Sequence, residues 1–158
     1  MVSQLTPGQR FDRYLVPATV IGILDVLAIG AGMGVPIFAI LLGFPVGWWL
    51  ARHRAAEGAS RTSMRLTLAW AGGLAIVSAV VLALLWGPSV PHAFDPAFDA
   101  AEFGIPLILY GSQASMIGWL LLMMVISPVL QAMALLSGAV LAFAVKPISR
   151  AEADEPRP

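Results

Sequence analysis

Cysteine is absent from the 158 residues, and only 11% of them are charged. The first absence excludes disulfides, thiolate metal ligands and cysteine nucleophiles, and leaves the redox compartment unreadable. The second is more restrictive, because soluble domains carry roughly 25% Asp, Glu, Lys and Arg. Here hydrophobic residues make up 59% of the chain and the mean hydropathy is +0.85. Such a chain is expected to be an integral membrane protein forming a single domain, residues 1–158.

Catalytic patterns are missing as well. The chain has no HExxH, no GxSxG, no Cys–His pair and no paired carboxylates placed for acid–base work, so an enzyme is not expected. It has no phosphate-cradling glycine loop and no basic stretch interleaved with aromatics, which argues against nucleotide and nucleic acid. Neither a cofactor nor a metal is expected. His92, Asp95, Asp99 and Glu102 offer i, i+3, i+7 spacing for an external cation, but Pro91 and Pro96 interrupt it, and an acidic surface is the ordinary reading.

What the chain does contain is long charge-free runs. The stretch Leu15–Trp49 has one ionisable side chain, Asp25. As one helix it would measure ~52 Å, well beyond a hydrocarbon core of ~30 Å. Gly30, Gly32, Gly34 and Pro36 supply a break, giving a hairpin of helices at residues 13–31 and 36–50. Trp48 and Trp49, followed by Arg52 and Arg54, suit a membrane boundary. The first run resembles a secretory signal in outline, yet an Asp inside it and a second span directly behind it favour a retained helix.

Residues 1–12 are expected as a loose tail turning at Pro7-Gly8, and residues 51–65 as a short basic loop facing anionic lipid. Thr62 or Ser63 would cap a third span at residues 66–86, which carries no charge. Residues 87–115 form an acidic, aromatic external segment. In it Asp95 and Pro96 would open a short helix, with Phe98 and Phe103 as surface anchors. Ser112, Gln113 and Ser115 mark the inward turn and a possible external groove, since irregular backbone at a boundary must face protein or water. The last span, residues 116–145, would be tilted and kinked at Pro128, and residues 146–158 would be disordered.

Orientation follows from counting. Lys and Arg number two at the N-terminal end, Arg10 in the tail and Arg13 where the first span begins, four in the 51–65 loop and three in the C-terminal tail, which places all nine on one side of a four-span protein. Both termini are then cytoplasmic, whereas a fifth span would move the last three outside. Eight Arg against one Lys, with abundant Ala, has the look of a GC-rich bacterial genome, hence a bacterial inner membrane. The expected fold is an all-α four-helix membrane bundle with a short interfacial helix before its last span.

Asp25 needs a reason to be there, because an Asp at the centre of a span costs ~2.5–3.5 kcal/mol on insertion scales. Apart from Arg13 at the start of the first, no Lys, Arg or His lies in any expected span. It is therefore protonated, holds a cation or water, or meets a positive group on a partner. Counted from the cytoplasmic ends, Asp25 and Ser78 lie ~18 Å deep and Gln131 ~21 Å. A hydrogen-bonded layer of the three is expected, serving as a clasp or as a proton or cation relay. Small residues at helical spacing (Gly22, Gly30/Gly34, Gly43/Gly47, Ala134/Gly138) point to close helix packing within the bundle or between copies. The leading expectation is a non-enzymatic accessory, assembly or structural subunit in the lipid bilayer, either a homo-oligomer or bound to a membrane partner. The second is a proton- or cation-conducting transporter subunit centred on Asp25.

Overall fold

The computed structural model describes residues 7–55, 60–105 and 111–145, with side chains for 15–53, 64–105 and 111–145. The expectations for residues 1–6, 56–59, 106–110 and 146–158 lie outside the described residues. The described chain is all-helical: α1 (Pro7–Ala31), α2 (Ile37–Ala55), α3 (Ser60–Trp86), a 3-10 helix (Gly87–Phe94), α4 (Ser112–Leu121), a π-helical turn (Leu122–Ile126) and α5 (Ser127–Ala144). From Ser112 to Ala144 the helix is continuous, 33 residues long.

The helices extend beyond the expected spans. α1 begins at Pro7 rather than Arg13, and a proline suits a first turn because its fixed φ is already helical and its missing N–H would have no partner there. The basic stretch 51–65 is not a loop of that length. Its Ala and Arg residues favour helix, so Arg52 and Arg54 end α2, while Arg61 and Arg65 belong to the start of α3. Thr62 and Ser63 consequently lie inside α3. At the end of α2, Arg52 sits over the Trp48 ring at 4.9 Å and His53 stacks on Trp49 at 5.2 Å.

The hairpin turn between α1 and α2 depends on its glycines. Gly34 takes φ +83°, and a Cβ at Gly32 would lie 2.0 Å from the Val35 carbonyl oxygen. Met33, 93% exposed, also sits in the left-handed region at φ 55°. The Trp86 indole donates to the Gly34 carbonyl at 3.0 Å, tying the end of α3 to this turn.

Among the described residues, no helix opens at Asp95. Its carboxylate accepts from the Ala97 N–H, and that of Asp99 accepts from the Ala101 N–H, both at 2.9 Å. Two side-chain turns thus replace the expected helix, since short Asp side chains compete for the backbone groups a helix would use. The short helix of this segment lies earlier, at Gly87–Phe94. Phe98 is buried and stacks on His92, while Phe103 is exposed, so only the latter remains a surface aromatic.

Pro128 acts through the π-turn that precedes it. Lacking an N–H, it cannot bond the carbonyl of Met124, and the backbone N–H of Ser127 reaches Leu122 five residues back. The Ser127 hydroxyl donates to the same carbonyl at 2.6 Å.

Packing is uneven. α2 and α5 form the closest pair, and α1 packs against α2 and α3. A Cβ on Gly47 would lie 1.8 Å from the Leu135 carbonyl oxygen, and one on Gly138 would lie 2.1 Å from that of Phe44. Large apolar side chains such as Val20, Leu27, Leu41, Ile76, Leu84 and Met133 point outward from the bundle. Arg52 and Arg65 lie at the α2–α3 end, and Asp95, Asp99 and Glu102 lie at the opposite end beside the 3-10 helix.

Candidate functional site

Asp25, Ser78 and Gln131 come from three different helices, α1, α3 and α5, and meet in the interior. They are 0%, 1% and 2% exposed, which makes them more buried than most of the apolar residues around them. Ser78 Oγ lies 2.6 Å from Asp25 Oδ2 and 2.5 Å from Gln131 Oε1. The Gln131 amide donates to Asp25 Oδ1, which closes a triangle of side chains.

Helical spacing explains how the triangle is enclosed. Ile21 and Ile29 flank Asp25 at i−4 and i+4, and Leu74 and Leu82 flank Ser78 in the same way. On one side Ile21, Leu74 and Leu135 form a buried apolar cluster with Val46 and Leu50. On the other, Ile29 and Leu82 close over the ring with Ala39. The polar layer is therefore sandwiched between two apolar layers. Among the described residues, no Lys, Arg or His pairs with Asp25.

Two backbone features set Gln131 in place. A Cβ on Gly43 would lie 2.7 Å from the Gln131 carbonyl oxygen, so only glycine lets α2 back α5 this closely at the ring's own level. The π-turn adds a residue to its turn and rotates α5 by roughly 100° relative to an unbroken α-helix. Neither connection was visible as a role for Gly43 or Pro128 in the sequence. The flanking Ile21/Ile29 and Leu74/Leu82 pairs were missed as well; their only signal in the sequence is the four-residue spacing about a polar position, which the small residues on the same faces obscure.

The remaining candidates separate into groups. Gly43, Gly47, Ala134 and Gly138 lie together in the α2–α5 contact. Gly30 does not join them: a Cβ there would meet nothing within 4 Å, and Gly34 belongs to the turn. Gly22 also faces open space, on a groove of about 490 Å³ between α1 and α3 whose walls include Ala18, Ala69 and Gly73. Ser112, Gln113 and Ser115 occupy the regular first turn of α4 and not irregular backbone. Ser115 is buried, Gln113 is exposed, and Ser112 Oγ reaches Asp99 Oδ1 at 3.5 Å, so the three do not share one surface. His92 is engaged with Phe98 and Phe103, and among the described residues no group of three or more His, Cys, Asp or Glu is arranged to hold a metal. No protein-family model, curated protein or solved structure matches the chain.

Proposed function

We propose that this chain is a multi-pass protein of the bacterial inner membrane, with four helical rods crossing the bilayer and both termini cytoplasmic. Its helices Met64–Phe94 and Ser112–Ala144 are long and apolar enough to span, and only 22% and 33% of their most apolar stretches are buried inside the fold. A core helix of a soluble protein would be mostly buried. An apolar exterior around a polar interior layer suits hydrocarbon as the solvent, where an unpaired polar group is expensive and an exposed Leu costs nothing. The separation of Arg52 and Arg65 from Asp95, Asp99 and Glu102 agrees with basic ends facing the cytoplasm.

Within that membrane the chain acts as a non-enzymatic accessory or assembly subunit through helix contacts. The observation that carries this reading is the contrast between its two sets of small residues. Those of α2 and α5 are consumed by each other's backbone, whereas Ala18, Gly22, Ala69 and Gly73 line a lateral groove that the described residues leave open. Glycine inside a helix costs ~1 kcal/mol relative to alanine, and close backbone approach is what offsets it. A transmembrane helix of a partner protein is the occupant that fits. Purification from native membranes in mild detergent, with the mass of the intact particle measured, tests this. A defined complex that Gly73→Leu dissociates is expected; a lone homo-oligomer contradicts it.

A second reading, a proton- or cation-conducting subunit, is favoured by the single carboxyl group at Asp25 in the middle of the bundle. Proton or cation flux in proteoliposomes that vanishes in Asp25→Asn would establish it. The apolar layers on both sides of the ring weigh against it.

A further inference from the structure

The triangle at Asp25 can be counted hydrogen by hydrogen. It has three contacts: Asp25 Oδ2 to Ser78 Oγ, Ser78 Oγ to Gln131 Oε1, and Gln131 Nε2 to Asp25 Oδ1. A serine hydroxyl carries one hydrogen, and the Gln131 amide supplies one to its single nitrogen contact in the ring. Two hydrogens cannot fill three contacts. With a carboxylate at Asp25, Ser78 donates either to Asp25 or to Gln131, and two oxygens are left facing each other at 2.5 or 2.6 Å with nothing between them.

We infer that Asp25 is the uncharged carboxylic acid and that its own proton closes the ring. Asp25 donates through Oδ2 to Ser78, Ser78 donates to Gln131 Oε1, and Gln131 donates back to Asp25 Oδ1. Each group gives one hydrogen and accepts one. Rotating the Gln131 amide by half a turn does not remove the requirement. The order then runs from Asp25 Oδ1 to Gln131 oxygen, from Gln131 nitrogen to Ser78, and from Ser78 to Asp25 Oδ2, and it again needs the acid proton. The oxygen spacings suit a hydrogen between them. Oxygens gathered around a metal ion at ~2.3–2.6 Å each would stand further apart.

Among the described side chains, nothing on the neighbouring elements supplies a countercharge. On α2 the described ionisable side chains are Arg52 and His53, both exposed near its end, and on α3 Arg65 lies ~20 Å along the helix from Ser78. α5 has none from Ser127 to Ala144, and His92, Asp95, Asp99 and Glu102 belong to the opposite end. α1 meets α5 through this ring, so the proton also links the peripheral helix to the close α2–α5 pair.

The inference does not rest on the accessory-subunit reading, because a lone oligomer would carry the same ring. Infrared spectroscopy of the full chain in bilayers at neutral pH, with aspartate carboxyl carbons isotopically labelled, reads it directly. The expected result is one carboxylic-acid carbonyl band that moves with the label, disappears in Asp25→Asn and shifts to higher frequency in Ser78→Ala, where the acid loses its acceptor. Should Asp25→Asn not fold, the Ser78→Ala shift alone assigns the band. A folded wild-type chain without such a band, or with one that neither substitution moves, overturns the inference.

Discussion

The sharpest stability test is one substitution made at two glycines. At Gly47 an added methyl would lie 1.8 Å from the Leu135 carbonyl oxygen, 2.7 Å from its carbon and 3.0 Å from its Cα. All three are backbone atoms of α5, so no side chain can swing aside, and α2 must withdraw by about 1.5 Å to reach ordinary contact distance. A gap of ~0.5–1 Å already forfeits a quarter to a half of the dispersion energy across a contact, and overpacking of this kind costs ~1–3 kcal/mol. Alanine's better helix propensity returns less than ~1 kcal/mol, leaving Gly47→Ala destabilised by about 2 kcal/mol. At Gly73 a methyl meets nothing within 4 Å, and Gly73→Ala is expected to gain ~0.5–1 kcal/mol from propensity alone. Equilibrium unfolding in mixed detergent micelles, followed by tryptophan fluorescence, reads both. Midpoints that move the same way and by the same amount would refute the uneven packing on which the proposed partner groove depends.

Other outcomes follow from the same geometry. Asp25→Asn supplies an amide hydrogen where the acid supplied its own and should unfold within ~0.5 kcal/mol of wild type, whereas Asp25→Leu, which breaks two of the ring's contacts, should lose ~1–3 kcal/mol in the same micelle titration. Trp86→Phe removes the indole bond to the Gly34 carbonyl and should cost about 1 kcal/mol, read as a lower unfolding midpoint. Met33→Gly should stabilise the fold by ~0.5–1 kcal/mol, read as a higher midpoint, because the side chain is 93% exposed and its backbone is left-handed.

Much of the interior was legible because depth along a helix is arithmetic. Asp25, Ser78 and Gln131 lie at nearly equal rise from the α2–α3 end, and the structure joins them. What the sequence concealed was phase. Ala18 and Gly22 share a helical face with Asp25, yet Ile21 and Ile29 are what pack around it, and the small residues edge an open groove. The π-turn before Pro128 is the same kind of feature: a proline announces a disturbance but not whether the chain bends or absorbs an extra residue. Helix ends were misplaced where composition was ambiguous. Arginine reads as loop by charge and as helix by propensity, and in residues 51–55 and 60–65 propensity prevails. At Asp95 the reverse holds, since a good helix cap is equally a good turn residue and Pro96 permits both.

The membrane reading can be tested directly because the chain has no cysteine, so single cysteines report their own surroundings without background. Ile76 on α3 is 66% exposed and Phe94 is 75% exposed, so protein packing leaves both open, yet only Phe94 lies at the end of the bundle. In intact cells a charged, water-soluble maleimide should label Phe94→Cys and Met33→Cys. It should label His53→Cys only after the membrane is opened, and leave Ile76→Cys unmodified in both cases until the bilayer is dissolved. Rapid aqueous labelling of Ile76→Cys, or of His53→Cys in sealed cells, would contradict the account.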